Sequence, residues 1–281
     1  MIDSIVLGLV EGVTEFLPVS STGHLLVAEH FLSTQKSEAY NVLIQVGPIL
    51  ASALVLHKRI FGWFKGWRNP EIRTEILQVL VAFLITGFGG LVLDKAGLKL
   101  PDSVLPIAIA TLVGVPVILL VERFARGKSN DAKVGWGLAV AVAGAQLLAA
   151  AFPGTSRSGA CVMAALLVGA SRSSAVEFSF LVGIPTMFAA GGYKLLKEIK
   201  SGAAAELFTF DTLLAFTVAT ISAFVVVKWL LGYVRNHTFV PFAWYRLALG
   251  VALLAALFSG LIPNSKPEPI RPSATTAVAQ R

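Results

Sequence analysis

The sequence predicts an all-α integral membrane protein: a polytopic helical bundle with an inverted repeat, about six crossing helices and two re-entrant helical hairpins. Of its 281 residues, 56% are apolar and only 14% charged, and the mean hydropathy is +0.76. A soluble domain carries roughly a quarter charged residues. A bilayer-crossing helix needs roughly 17–25 apolar residues. Apolar segments near that length recur at 41–56, 76–93, 104–121, 134–152, 175–193, 213–231 and 242–262.

A repeat within the chain predicts how these segments are arranged. The motif PVSST from Pro18 matches PGTSR from Pro153, and Gly47 and Gly183 recur at a similar offset near 135 residues. Three crossings lie between the motifs, and an odd number inverts the second copy relative to the first. Each copy is expected to begin with a hairpin broken at its proline, one formed by 1–17 with 19–32 and the other by 134–151 with 156–170. Inverted repeats with broken helices place a shared polar site where the halves meet.

The repeat also sets the expected domain limits. We predict a single membrane domain over 1–262, with repeat one at 1–122 and repeat two at 133–262. The first helix is expected to be retained, because the N-terminus lacks the basic region of a cleaved signal peptide. The tail 263–281, rich in Pro, Ser, Thr, Ala and Gln, is expected to be disordered.

Charge distribution indicates orientation rather than nucleic-acid binding. The net charge is +7, but the basic residues lie mainly in short loops between apolar segments. Loops 57–74, 122–133 and 232–241 hold ten Lys and Arg, whereas the alternate loops hold five. Basic loops stay in the cytoplasm, so the first hairpin and its site are expected to face outward. The single Cys161 excludes an internal disulfide.

Glu11 and Glu15 are the first candidate functional residues. They lie four residues apart in an apolar segment, so a helix places both on one face. Carboxylates at membrane depth are costly and mark functional sites. A divalent cation would relieve their mutual repulsion, and their hard oxygen ligands suit Mg²⁺ or Ca²⁺. The alternative is an interfacial pair at a helix end that faces water.

Hydroxyl groups and a histidine follow in PVSSTGH. Pro18 ends the first helix, and one or two of Ser20, Ser21 and Thr22 would cap the next helix. Ser20 and Thr22 are also predicted to bind the substrate. Capping does not explain His24, for which we predict a role as general acid, base or nucleophile. The alternative is a hydrogen-bonded structural histidine.

The loop PGTSRSG has the composition of a phosphate site. Backbone N–H groups near Gly154 and the following helix N-terminus suit an anion. Thr155, Ser156 and Ser158 add hydroxyl donors, and Arg157 offers a planar bidentate fork. The alternative for Arg157 is an ion pair with Glu11 or Glu15 that joins the hairpins. Arg172 and Glu177 are expected to pair structurally with each other.

The segments EGVTEFLPVSSTGHL and PGTSRSGA resemble the signature motifs of the bacitracin-resistance family of undecaprenyl-diphosphate phosphatases. VLIQVGPILA and EFSFLVGIP resemble the stretches that follow these motifs, and the likeness covers residues 1 to about 262. The resemblance implies that Glu11 and Glu15 form an acidic motif linked to metal and catalysis. It also implies a nucleophile at Ser21, proton transfer or attack at His24, and phosphate binding at Ser156 and Arg157. Asn41 stands where the family often has an acid.

The resemblance implies a multi-pass enzyme of the bacterial inner membrane. It would remove the terminal phosphate from a C55 polyprenyl diphosphate and so recycle the carrier lipid of cell-wall synthesis. The expected partners are this lipid and the bilayer, with a homodimer kept as a candidate assembly. The residues leave open whether serine, histidine or water attacks. The rival class is a polyprenyl-phosphate lipid transporter or flippase, since inverted repeats with midplane sites are transporter features.

Overall fold

The computed structural model describes residues 1–34, 36–98, 103–125, 135–200 and 209–264, and its secondary structure over these ranges is helical. The helices in chain order are α1 Ile2–Thr14, α2 Ser21–Phe31, α3 Glu38–Val55, α4 His57–Gly66, α5 Pro70–Lys95, α6 Val104–Ala125, α7 Gly137–Ala151, α8 Arg157–Leu167, α9 Arg172–Lys200, α10 Phe210–Tyr233 and α11 Val240–Phe258.

Among the described residues, five helices are long and apolar enough to cross a membrane: α5, α6, α9, α10 and α11. A sixth candidate span is formed by Ala39–Val55 with His57–Gly66, which meet at a bend of 58°. These helices direct many apolar side chains outward, as at Phe88, which is 74% exposed, and Phe124, which is 63% exposed. Such surfaces match a lipid solvent. The predicted polytopic helical membrane fold is confirmed.

The two predicted hairpins are present as α1–α2 and α7–α8. Their helices have 13, 11, 15 and 11 residues, too few to cross a bilayer comfortably. Ser20 and Ser156 precede α2 and α8 with φ of 75° and 66°, and their hydroxyls accept hydrogen bonds from the N–H groups of Gly23 and Gly159. The hairpins therefore align at an offset of 136 residues, which pairs Pro18 with Gly154 instead of Pro153.

Small residues allow α1 to lie directly against α10. A Cβ atom added at Gly8 would stand 2.5 Å from the backbone oxygen of Ala215, and one at Gly12 would overlap Ser222. Such close backbone approach is typical of helix pairs in membranes. Around this pair, α10 packs on α3, α3 on α9, and α7 on both α5 and α8. Glu11 and Glu15 are 1% and 7% exposed, so their carboxyl groups are enclosed by protein.

Ion pairs join separate helices, and two of them involve residues for which the sequence predicted a different partner. Arg172 pairs with Glu122 of α6 at 2.5 Å, and Glu177 pairs with Arg59 of α4 at 2.8 Å. The predicted pairing of Arg172 with Glu177 is wrong, because residues five apart on a helix point about 140° apart. Glu122, only 1% exposed, also accepts a hydrogen bond from the N–H of Phe239.

Of the predicted disordered tail, 265–281 lie outside the described residues. Asn264, however, caps α6: its backbone and side-chain oxygens accept hydrogen bonds from the N–H groups of Val104 and Leu105 at 3.0 Å each. Ordered structure therefore extends two residues beyond the predicted domain limit.

Candidate functional site

Glu15 lies where the two hairpins meet. The residue is 7% exposed and immediately follows α1. Its Oε2 accepts a hydrogen bond from the Ser21 hydroxyl at 2.6 Å, and its Oε1 accepts one from Arg157 Nη2 at 2.9 Å. Ser21 and Arg157 are the first residues of α2 and α8. Equivalent positions of the two hairpins thus converge on one carboxylate, and the ion pair anticipated for Arg157 is present.

Glu11, one turn earlier on α1, brings a second carboxyl group to the same place. It is 1% exposed, lies within hydrogen-bonding reach of the Glu15 side chain, and is close enough to Arg157 to interact with its charge. Within the described ranges, its Oε2 atom is buried without a hydrogen-bond partner. An unpartnered buried carboxylate oxygen is costly, so Glu11 Oε2 is the atom of this centre best suited to bind a ligand.

The two carboxylates could hold a divalent cation only if the substrate supplied further ligands. Over the described residues, no group of three or more His, Cys, Asp and Glu side chains could hold a metal ion. Mg²⁺ is commonly held by one or two carboxylates together with substrate phosphates. The donors present fit that arrangement, in which Glu11 Oε2 would be one protein ligand.

Both ring nitrogens of His24 have partners other than the carboxylates. Its Nδ1 lies 2.7 Å from the carbonyl oxygen of Ser20, and its Nε2 lies 2.6 Å from the hydroxyl of Tyr245. Because a carbonyl oxygen only accepts, Nδ1 carries the proton and a neutral ring accepts from Tyr245 at Nε2. The hydrogen-bond partner of the Ser21 hydroxyl is therefore Glu15 and not His24. Tyr245 was not among the candidates, and its position 221 residues away in sequence left no local signal.

The hydroxyls of the second loop mainly tie the hairpins together. Ser158 Oγ donates to the carbonyl oxygen of Leu17 at 2.9 Å, and Ser156 Oγ lies 3.3 Å from the same atom. Gly154 has φ of 92°, and a Cβ there would stand 2.5 Å from the Ile107 carbonyl oxygen, so glycine is needed for close contact with α6. Thr155 is half-buried.

The remaining groups that could donate hydrogen bonds to an anion are the N–H groups at the starts of α2 and α8. Thr22 lies in the first turn of α2 and is partly buried. Ser20 caps α2 in the same way that Ser156 caps α8. The first N–H groups of a helix have no partner within it and attract anions. The first residues of both helices contact Glu15, so their free N–H groups add to the donors that could bind an anion there.

Arg246 holds both hairpin breaks, and sequence reasoning missed it. The residue is 1% exposed, and its guanidinium donates five hydrogen bonds, the full number it has. The acceptors are the carbonyl oxygens of Pro18, Ala110, Thr111, Gly154 and Thr155, at 3.0–3.4 Å. A charged residue inside the predicted span 242–262 was the available signal, since such residues are costly unless they have a function.

Together these features define an integral membrane protein in which two broken hairpins bring carboxylates, a hydroxyl and an arginine to one buried centre. Residues 4–252 match the family described as Bacitracin resistance protein BacA, and the chain belongs to that family.

Curated relatives align over most of their length. A protein of Rhizobium etli (strain CIAT 652) named undecaprenyl-diphosphatase is 47% identical over 93% of this chain and 98% of its own. Proteins with the same name from Xanthomonas euvesicatoria pv. vesicatoria (strain 85-10) and Xylella fastidiosa (strain 9a5c) are 48% and 46% identical over 90% of this chain, and 96% and 97% of theirs.

Proposed function

We propose that this protein is an undecaprenyl-diphosphate phosphatase, which releases inorganic phosphate and returns undecaprenyl phosphate to cell-wall polymer synthesis. The observation that carries the proposal is the contact of Glu15 with both Ser21 and Arg157, at 2.6 Å and 2.9 Å. This contact supports a role of Glu15 as a base beside a hydroxyl and an anion-binding group, the arrangement that nucleophilic phosphoryl transfer uses. The names of the relatives point to the same reaction.

The terminal phosphate is held by Arg157 and by the N–H groups at the starts of α2 and α8. Ser21 Oγ attacks the terminal phosphorus while Glu15 accepts its proton. A new Ser–O–P bond forms, the bond from that phosphorus to the bridging oxygen breaks, and undecaprenyl phosphate leaves with that oxygen. Water then hydrolyses the phosphoserine. The alternatives are direct attack by water and attack by His24. His24 would first have to break its hydrogen bond with the Tyr245 hydroxyl.

Glu11 and Glu15 would hold the divalent cation, Mg²⁺ or Ca²⁺, together with the diphosphate. When bound, such a cation neutralises charge on the phosphate oxygens. The unpartnered Glu11 Oε2 is the support for this part of the proposal. Arg157 contributes positive charge from the second hairpin, so both halves of the chain supply groups to one phosphate.

Purified protein in detergent is expected to release phosphate from undecaprenyl diphosphate with Mg²⁺ or Ca²⁺ present and to stop with EDTA. Arg157→Ala should abolish release because it removes the only described side-chain cation that contacts Glu15. Arg59→Ala, at a side chain 48% exposed in a surface ion pair, is the matched control and should keep full activity. Colorimetric phosphate assay gives the readout. An inactive, well-folded wild type with every metal would refute the phosphatase proposal.

The rival class, a lipid flippase, needs anion binding but no attacking group. A hydroxyl held at 2.6 Å by a buried carboxylate serves hydrolysis and adds nothing to transport. Translocation of polyprenyl phosphate in vesicles by a protein that releases no phosphate would favour the rival.

The protein is a multi-pass membrane protein, and we further propose the bacterial inner membrane with the site facing outward. The homodimer stays a prediction. Cys161 is 2% exposed, so introduced cysteines can be labelled against a silent background. Thr34→Cys, between α2 and α3, should react with an impermeant maleimide added to intact spheroplasts. Arg68→Cys, between α4 and α5, should react only after lysis. The reverse pattern would contradict the outward orientation.

A further inference from the structure

A small cavity lined in part by Arg157 lies between α7, α8 and α9. Its polar lining consists of Gln146, Arg157, Ser158 and Ser179, and the rings of Phe16 and Phe180 also line it. These rings pack edge to face with centroids 4.6 Å apart. The volume open to the centre of a water-sized sphere is about 10 Å³, which is close to the minimum for one water molecule.

Three polar atoms of this lining lack a hydrogen-bond partner within the described part of the chain: Arg157 Nη1, Gln146 Oε1 and Ser179 Oγ. Gln146 is 2% exposed and Ser179 5%. Native proteins rarely leave buried polar groups unpaired, because each costs free energy. Three such atoms around one cavity call for a common partner.

We propose that the cavity binds one ordered water molecule that holds Arg157 in position for the phosphate. The water accepts a hydrogen bond from Arg157 Nη1, donates one to Gln146 Oε1, and makes a third with Ser179 Oγ. About three hydrogen bonds are typical of buried water. A phosphate group is too large for this volume, and the guanidinium charge disfavours a cation.

Gln146 and Ser179 are therefore positioning residues that act through Arg157. The guanidinium is held at Nη2 by Glu15, at 2.9 Å, and at Nη1 by the water. Held at both ends, the guanidinium plane is fixed. This inference rests on the proposed function, since it assigns Arg157 to phosphate binding.

The test is a double-mutant cycle of Gln146→Leu and Ser179→Ala, measured on the full-length protein. Each single variant should lower kcat/KM about 10- to 100-fold, the range for losing a hydrogen bond to a charged group. The double variant should lose no more kcat/KM than the more impaired of the two single variants, because either change already removes the shared water. The same non-additivity should appear in the thermal unfolding midpoint without substrate.

Two control variants match the substitutions. Thr86→Val removes the other hydrogen-bond partner of Gln146, whose Nε2 lies 3.4 Å from Thr86 Oγ1. Ser52→Ala removes a fully buried hydroxyl that donates to the Ile49 carbonyl oxygen. Both controls should keep wild-type kcat/KM.

Full activity of either single variant, or additive losses in the double variant, would overturn the water site. Non-additivity in activity alone, without any in unfolding, would also overturn it and would place a substrate oxygen in the cavity. An inactive wild type would count against the proposed function, whereas an active wild type with additive losses would count only against this inference.

Discussion

Replacing Glu15 by glutamine is expected to lower kcat/KM for undecaprenyl diphosphate by about 10²- to 10⁴-fold, the range for loss of a general base. Glutamine keeps the shape of the side chain and still offers one oxygen to Arg157 Nη2. It cannot take the proton of Ser21, whose hydroxyl now donates to Oε2 at 2.6 Å. The loss should fall mainly on kcat, measured as phosphate release at saturating lipid in detergent.

Glu71→Gln, a change at an exposed glutamate in the first turn of α5, is the matched control and should leave kcat/KM unchanged. Ser21→Ala should lose as much activity as Glu15→Gln, and the double variant little more, because base and nucleophile act as a unit. A Glu15→Gln protein with near-normal kcat would show that another group takes the proton. His24→Ala should then be the inactive variant.

Sequence reasoning predicted those parts of the site that depend on local spacing. Glu11 and Glu15 lie one helical turn apart, so a single helix already puts them on one face. An arginine in an apolar hairpin is expected to have an anion or an acidic side chain as its partner, and in the structure Arg157 Nη2 contacts Glu15 Oε1 at 2.9 Å. Membrane helices were predictable for a similar reason, because lipid demands long apolar runs that can be counted directly.

What sequence reasoning missed depends on distances between remote segments. The hydroxyl of Ser158 donates to the Leu17 carbonyl oxygen 141 residues away, a contact set by how the hairpins meet. Matching prolines gave an offset near 135, whereas the caps at Ser20 and Ser156 align at 136. The backbone repeats the cap geometry, and the proline is free to differ between the two copies.

Replacing Arg246 by methionine is expected to inactivate the enzyme and to lower its thermal unfolding midpoint, at a cost of at least about 3 kcal/mol. Methionine has comparable length but no donor, so five carbonyl oxygens lose a partner where water does not reach. Two of these belong to Gly154 and Thr155, at 3.1 Å each, and one to Pro18. The breaks of both hairpins would lose their common support.

Arg246→Lys separates the charge from the geometry. Lysine keeps the positive charge but offers three donors from one point, so it cannot reach all five carbonyl oxygens. Partial recovery of stability without recovery of kcat would mean that the planar fork sets the distance between Ser21 and Arg157. Arg235→Met, at an exposed arginine beyond α10, should change neither quantity. An Arg246→Met protein with normal activity and an unchanged midpoint would show that the hairpins hold their geometry through the contacts of Ser156 and Ser158 with Leu17 alone.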